Sequence, residues 1–119
     1  MKKRILVIDD DSEILDAFKF ILLDVGYKVK ILTKDGVQVQ QSIKSFHPDL
    51  IILDVLLPGS NGRTLCEKLK TNTDTQHIPI IMISAHPSAG KTVMKYGADV
   101  FISKPFNVDD ILKVIDSFL

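Results

Sequence analysis

Short apolar runs alternate along this chain with segments in which apolar side chains recur every three or four residues. The runs at 4–9 and 49–54 are apolar on both faces of an extended chain, as in strands that are buried on both sides of a sheet. Two further runs, at 78–84 and 99–103, also predict strands. Residues 27–33 alternate apolar side chains with lysines, which indicates an edge strand with one solvent-facing side.

Between the strands, the apolar positions follow the spacing of a helix with one buried face. The first of these helices has Asp11 or Ser12 available as an amino-terminal cap and Gly26 at its end. The fourth predicted helix, within 88–96, is poorly defined by the apolar pattern. The predicted helices cover 12–25, 35–46, Leu65 to about Thr71, part of 88–96, and 108–118.

Five strands that are each followed by a helix predict a doubly wound α/β fold, with a parallel sheet and helices on both of its faces. A length of 119 residues suits one domain. In open parallel sheets, ligands bind beyond the carboxyl ends of the strands. This edge of the sheet is therefore where functional residues are expected.

Composition narrows the possible partners and compartments. Lys plus Arg equals Asp plus Glu at 15 each, so nothing in the net charge favours nucleic acid or an anionic membrane as a partner. Cys66 is the single cysteine, which excludes an internal disulfide and is interpreted as a small core residue. Neither a signal peptide nor a run of transmembrane length is found, so a cytoplasmic location is expected.

Polar residues that could take part in a reaction lie at the carboxyl ends of four predicted strands. They are Asp9 and Asp10, Asp54, Ser84, and Lys104. Because the carboxyl ends of parallel strands lie along one edge, three carboxylates, a hydroxyl and an ammonium should meet in one cleft. Such a set suits a divalent cation together with a phosphoryl group.

The acidic residues permit two interpretations. One or more of them can simply cap the following helix. Two consecutive aspartates at a strand end, opposite the strand-terminal Asp54, favour Mg²⁺ instead, because this ion prefers oxygen ligands and relieves the repulsion between carboxylates. Asp54 would then be the nucleophile that accepts a phosphoryl group as an acyl phosphate, while Lys104 and Ser84 stabilise the phosphoryl oxygens.

Five motifs in a fixed order carry a family resemblance. They are Ile-Leu-Val-Ile-Asp-Asp-Asp (5–11), Pro-Asp-Leu-Ile-Ile-Leu-Asp (48–54) followed by Leu57-Pro58 and Asn61-Gly62, Ile-Met-Ile-Ser-Ala (81–85), Gly-Ala-Asp (97–99) and Lys-Pro-Phe (104–106). Together they resemble the receiver domain of two-component response regulators of the chemotaxis-regulator type. The resemblance covers the whole chain and implies one receiver domain at 1–119, with a flavodoxin-like (βα)5 fold and strand order 2-1-3-4-5.

The resemblance also implies roles for individual residues. Asp54 would be the phospho-acceptor, and Asp10, Asp54 and the backbone carbonyl of Leu56 would bind Mg²⁺, with Asp9 acting largely through water. Ser84 and Phe101 would be the switch residues, and the Lys104–Pro105 peptide is expected to be cis. The donor would be a histidine kinase or a histidine phosphotransfer protein, and a downstream protein would bind the surface of the fourth helix, fifth strand and fifth helix.

Some positions depart from the family pattern. The segment between Ser84 and Lys104 is shorter than usual, so the fourth helix should be short or start late. Leu56 cannot hydrogen-bond a water for attack on phosphorus, which predicts slow dephosphorylation. His86 either positions a water or is a plain loop residue.

Three other functions fit the sequence less well. A receiver-like binding module that is never phosphorylated is opposed by the complete Asp, Asp, Asp, Ser and Lys set. An aspartyl-phosphate phosphatase would need an acidic residue at Leu56, and a flavin site would be repelled by the aspartates after the first strand. Whether the domain acts alone or belongs to a longer regulator or hybrid kinase is left open.

Overall fold

The computed structural model describes residues 2–33, 37–57, 60–86 and 89–119. Each strand of the main sheet corresponds to one of the apolar runs. The strands are β1 (Arg4–Ile8), β2 (Lys28–Leu32), β3 (Leu50–Asp54), β4 (Ile80–Ser84) and β5 (Val100–Ser103). The helices are α1 (Ser12–Val25), α2 (Val37–Phe46), α3 (Gly62–Thr71), α4 (Gly90–Val93) and α5 (Val108–Phe118).

In the described part of the chain, the five strands form one parallel sheet in the order β2-β1-β3-β4-β5. The predicted doubly wound fold with strand order 2-1-3-4-5 is confirmed. Side chains of β1 show the alternation, since Leu6 and Ile8 face one side of the sheet while Ile5 and Val7 face the other. The first face is covered by α2, α3 and α4, and the second by α1 and α5.

Local chemistry explains where α1 begins and ends. Asp11 caps its start, because its carboxylate accepts hydrogen bonds from the backbone N–H groups of Glu13 and Ile14. Gly26 ends the helix with a φ of 110°, a left-handed conformation that glycine adopts without steric cost. Both predicted caps of this helix are therefore present, with Asp11 serving at the start.

Among the element boundaries that differ from the prediction, two concern β4 and α3. β4 begins at Ile80 and not at Ile78, because Pro79 has no N–H for the ladder and the amide of Ile78 is bonded to Thr75 O in the preceding turn. α3 begins at Gly62, before the predicted start at Leu65, and Ser60 and Asn61 pair with residues 56–57 as a short antiparallel ladder. Pro58 and Gly59 lie outside the described residues.

The fourth helix is short, as the shortened sequence predicted. It consists of the four residues of α4, which are followed by a 3₁₀ turn at Met94–Tyr96. Its residue Val93 is fully buried against the sheet. Among the described residues, no helix combines the length and the apolar character that crossing a membrane would require.

Candidate functional site

The strand register brings the predicted polar residues to one edge of the sheet. Ile8 pairs with Leu53, so Asp9, which follows β1, lies beside Asp54 at the end of β3. On the other side, Asp54 pairs with Ile83, and Ser84 pairs with Ser103, the residue before Lys104. The carboxyl ends of the three central strands and of β5 therefore place these groups around one cleft.

Three carboxylates form an acidic group in this cleft. Asp9, Asp10 and Asp54 each offer an oxygen atom, and these atoms lie within 4.8 Å of one another. Asp9 and Asp54 are buried, whereas Asp10 is exposed to solvent. Hard oxygen donors at this spacing, with one side open to water, fit Mg²⁺, which uses few protein carboxylates and keeps several water ligands.

Lys104 brings a positive charge into the same cleft. Its Nζ lies 3.0 Å from Asp9 Oδ2 and 3.8 Å from Asp54 Oδ2. The lysine side chain is only 17% exposed, so solvent screens these interactions less than it screens an ion pair on the surface. The ammonium therefore offsets part of the repulsion between the two buried carboxylates.

The three consecutive aspartates have different surroundings. The buried Asp9 accepts a hydrogen bond from Lys104 at Oδ2 and another from the backbone N–H of Asp11 at Oδ1, 2.9 Å away. Asp10 presents its carboxylate to solvent, and Asp11 caps α1. The capping interpretation thus holds for Asp11, while its two neighbours belong to the acidic group.

Ser84 is also buried at this edge, with 2% of its surface exposed. Its hydroxyl oxygen accepts a hydrogen bond from the backbone N–H of His86 at 3.0 Å. Its carbonyl oxygen accepts one from the backbone N–H of Lys104 at 2.8 Å. Ser84 therefore ties the loop after β4 and the end of β5 to the cleft.

Gly62 also belongs to the site. The sequence analysis named it only as part of the Asn61-Gly62 motif and predicted no role for it. Its N–H donates to the carbonyl oxygen of Val55 at 2.9 Å, and a β-carbon at Gly62 would overlap the carbonyl oxygen of Asp54. Only glycine allows this approach. The start of α3 is therefore packed directly against the backbone of Asp54.

The remaining predicted residues surround this arrangement. Phe101 is partly buried, and its ring lies so close to Gly90 that a β-carbon there would be 2.9 Å from the ring. The Lys104–Pro105 peptide bond is cis. His86 is exposed. Leu56 belongs to the short ladder, but its side chain and the direction of its carbonyl lie outside what the structure describes, so its part in ion binding stays a prediction.

Cys66 has the environment of a core residue. It is fully buried in α3, among the side chains that pack against the sheet. Burial raises the pKa of its thiol to about 11. The thiol therefore remains protonated and a poor nucleophile at neutral pH.

The comparison with known families is decisive. Residues 5–116 match the sequence profile of the response regulator receiver domain. The chain belongs to this family. The predicted membership is confirmed, and the cleft described above lies in a receiver domain of the kind found in two-component signal transduction.

Relatives of this receiver domain support the assignment. RpaA of Synechocystis, a DNA-binding dual master transcriptional regulator, is 36% identical over 98% of this chain but over only 48% of its own length. MtrA of Mycobacterium tuberculosis, a DNA-binding response regulator, is 32% identical over 94% of this chain and 48% of its own length. The receiver domain thus spans about half the length of these curated relatives.

Solved structures share the fold closely. A response regulator from Chloroflexus aurantiacus has a TM-score of 0.91 at 29% identity, and the alignment covers 99% of this chain and 98% of that one. A CheY-like receiver domain from Methanospirillum hungatei has a TM-score of 0.88 at 34% identity, with 98% and 93% of the two chains covered.

Proposed function

We propose that this receiver domain accepts a phosphoryl group on Asp54 in a Mg²⁺-dependent transfer and thereby switches a protein-binding surface. The donor is a phosphohistidine on a histidine kinase or on a histidine phosphotransfer protein. Residues 1–119 act as a single receiver domain in this proposal. The domain takes part in its own phosphorylation and in a slow loss of the phosphoryl group, but it turns over no separate substrate.

The observation that carries the proposal is the crowding of charge at the end of β3. Oxygen atoms of Asp9, Asp10 and Asp54 lie within 4.8 Å of one another, and Lys104 Nζ reaches both Asp9 and Asp54. Like charges at this spacing repel one another unless cations balance them. A fold that retains such a group, mostly buried, is suited to bind a cation and a transferred anion.

The acidic group provides the ligands that a magnesium ion requires. Asp10 and Asp54 would hold it directly, together with the backbone carbonyl of Leu56, while Asp9 would act largely through water. Bound there, the ion would supply the positive charge that lets an anionic phosphoryl group approach carboxylates. The exposed position of Asp10 leaves one side of the group accessible to water ligands and to the donor.

In the transfer, the bond between phosphorus and the donor imidazole nitrogen breaks as a bond from phosphorus to a carboxylate oxygen of Asp54 forms. The ring carries a proton on its other nitrogen, so it leaves as neutral imidazole with the electron pair of the broken bond. Lys104, which lies 3.8 Å from Asp54 in the unphosphorylated domain, offsets charge on the phosphoryl oxygens. The hydroxyl of Ser84 donates to another of these oxygens, which draws the loop after β4 toward the cleft.

The switch converts this local change into a change of surface. Movement of Ser84 vacates space, and Phe101 turns inward, which repacks the surface formed by α4, β5 and α5. Phe101 suits this role because its ring is only partly buried and contacts α4 at Gly90. A downstream protein binds this surface. The switch is a shift of population between two packings of the domain.

The DNA-binding relatives raise the question of whether this domain contacts nucleic acid directly. RpaA and MtrA are DNA-binding proteins about twice the length of this chain. In this proposal the receiver domain itself binds protein, with no direct nucleic-acid contact, because the sequence has no net positive charge. The cytoplasmic location remains a prediction from the sequence.

The test is phosphorylation with a small acyl-phosphate donor, because it requires no knowledge of the cognate kinase. The domain is incubated with the donor and Mg²⁺, and intact mass and peptide mapping locate the modification. We expect one phosphoryl group on Asp54, none in Asp54→Asn, and none when a chelator removes the ion. The isosteric Asn controls for shape, since it keeps the size of the side chain and removes the nucleophilic charge.

Two results would contradict the proposal. One is an unmodified domain when donor and Mg²⁺ are both in excess, provided that circular dichroism shows it folded. The other is equal modification of the wild type and of Asp54→Asn, which would place the phosphoryl group elsewhere.

A further inference from the structure

The side chain of Arg63 joins the start of α3 to α4, and it lies outside the set of residues proposed for phosphoryl transfer. Its Nε donates a hydrogen bond of 2.9 Å to Thr92 Oγ1, across 29 residues of sequence. The same hydroxyl donates to the carbonyl oxygen of Ala89, also at 2.9 Å. Thr92 therefore connects Arg63 to the first turn of α4.

The backbone of Arg63 is fixed relative to Asp54. The preceding residue, Gly62, donates its N–H to Val55 and approaches the carbonyl oxygen of Asp54 more closely than any other residue type could. One end of Arg63 thus moves with the phospho-acceptor, while its other end is bonded to α4. This is the geometry of a direct link between the two.

The short helix α4 depends on such contacts. A helix of four residues makes too few internal hydrogen bonds to be stable alone, so its position is set by tertiary contacts. They include the burial of Val93, the ring of Phe101 against Gly90, and the bond from Arg63 to Thr92. Loss of that bond should therefore change the local stability of α4 measurably.

The charge of Arg63 suggests that a phosphoryl group could compete with Thr92 for its guanidinium group. A cation in the first turn opposes the helix dipole, so the stability of α3 does not account for an arginine at this position. A guanidinium pairs well with phosphate, for which it has a planar set of donors. A phosphoryl group on Asp54 adds about 1.5 to 2 negative charges, whereas Thr92 offers a neutral hydroxyl.

We propose that Arg63 is a positioning residue of the switch. In the unphosphorylated domain it holds α4 through Thr92, and after phosphorylation it turns toward the phosphoryl group on Asp54 and releases α4. This inference rests on the proposed phosphorylation of Asp54. It adds to the movement of Ser84 and Phe101 a second link, which runs from α3 to α4.

Hydrogen exchange of the peptide that covers residues 89–97, read by mass spectrometry, tests this link with and without acyl-phosphate donor and Mg²⁺. In the unmodified domain, Thr92→Val and Arg63→Gln should exchange about fivefold faster than wild type, the effect of losing one hydrogen bond of ordinary net strength. Thr92→Ser, which keeps the hydroxyl, should match wild type. Lys68→Gln serves as the control, because it removes an exposed cation from α3 without touching α4.

Phosphorylation separates a switching role from a merely structural one. It should accelerate exchange in α4 of the wild type and of Thr92→Ser, and it should add less in Thr92→Val and Arg63→Gln, where only the movement of Ser84 and Phe101 remains. Intact mass of the same samples shows whether Asp54 is modified. If no sample gains a phosphoryl group, the proposed function is wrong and this inference falls with it.

Two other results would overturn the role of Arg63 alone. One is full modification with the same acceleration in Arg63→Gln as in wild type. The other is equal exchange of the unmodified variant and the wild type, which would show that the bond to Thr92 does not hold α4.

Discussion

The two ends of the parallel sheet use aspartate and lysine in opposite ways. At the amino end, Asp99 accepts hydrogen bonds from the N–H of Ile80 at 2.8 Å and from Lys70 Nζ at 2.7 Å. Asp49 accepts from the N–H of Arg4 at 2.8 Å. Asp99 therefore has a cationic partner of its own, and both carboxylates accept hydrogen bonds from backbone N–H groups at the starts of strands. These hydrogen bonds hold the starts of β1 and β4 in place.

At the carboxyl end, carboxylates are concentrated. Asp9, Asp10 and Asp54 lie together, and the ammonium of Lys104 is closest to Asp9. The same residue types therefore support structure where charge is balanced locally and support chemistry where it is not. A ligand site in this fold can thus be recognised by unbalanced charge, and variants at the two ends of the sheet should behave differently.

The largest contrast is expected between the two lysines. Lys104→Met should slow phosphorylation of Asp54 about 100-fold, the usual cost of removing one group that stabilises developing charge. Lys70→Met should leave the rate unchanged, because Lys70 pairs with Asp99 and the carbonyl oxygen of Ile78 at the other end. The measurement is the rate of phosphoryl incorporation from a small donor at saturating Mg²⁺. Equal rates for the two variants would remove the distinction between the ends.

Magnesium should stabilise the carboxyl end only. At a free concentration about 100 times its dissociation constant, the ion should add about 2.7 kcal/mol to the free energy of unfolding. Asp10→Asn should lose most of this gain, since it removes one of the three carboxylates. The measurement is thermal unfolding with and without Mg²⁺.

Asp11→Asn is the matched control for that experiment. It removes the same charge one residue away, and asparagine caps a helix as well as aspartate does. Asp11 caps α1 and lies outside the acidic group, so its variant should keep the full Mg²⁺ response. A response lost in both variants would mean that the ion senses net charge and not these ligands.

A substitution at the amino end of the sheet should lower the free energy of unfolding without changing the rate of phosphorylation. Asp99→Ala removes the partner of Lys70 and the acceptor for the N–H of Ile80, and should lower the free energy of unfolding by about 1–2 kcal/mol. Because Asp99 is partly exposed, water can replace some of what is lost. Urea unfolding gives the stability, and the phosphorylation rate below the transition should equal that of wild type. A slower rate would show that the two ends are coupled.

The sequence was sufficient to predict the fold and the grouping of the acidic residues. Strand-terminal residues such as Asp9, Asp54 and Ser84 could be placed because parallel strands bring their ends to one edge whatever the details of packing. The pattern of apolar positions predicted that β1 is buried on both sides and that α1 has one buried face. The family motifs then supplied expectations that periodicity cannot give, such as the roles of Phe101 and Pro105.

Contacts between helix side chains and residues distant in sequence could not be predicted. The bond from Arg63 to Thr92 and the ion pair of Lys70 with Asp99 depend on how far each helix lies along the sheet, which a periodic pattern does not specify. The approach of Gly62 to Asp54 was missed for the same reason. A glycine in a sequence motif is compatible with many conformations, and only the three-dimensional structure shows which one it adopts.

The smallest effect is expected at Leu56, which concerns how long the charge at the carboxyl end persists. Leu56→Asn should shorten the half-life of the phosphoryl group about fivefold, because an amide can hydrogen-bond a water for attack on phosphorus and such a bond has a net strength of about 1 kcal/mol. Leu56→Met, which is apolar and of similar size, should leave the half-life near that of wild type. Loss of the phosphoryl group is followed by intact mass after the donor is removed. An unchanged or longer half-life in the asparagine variant would show that attack of water is limited elsewhere, and the exposed His86 would then be the residue to substitute next.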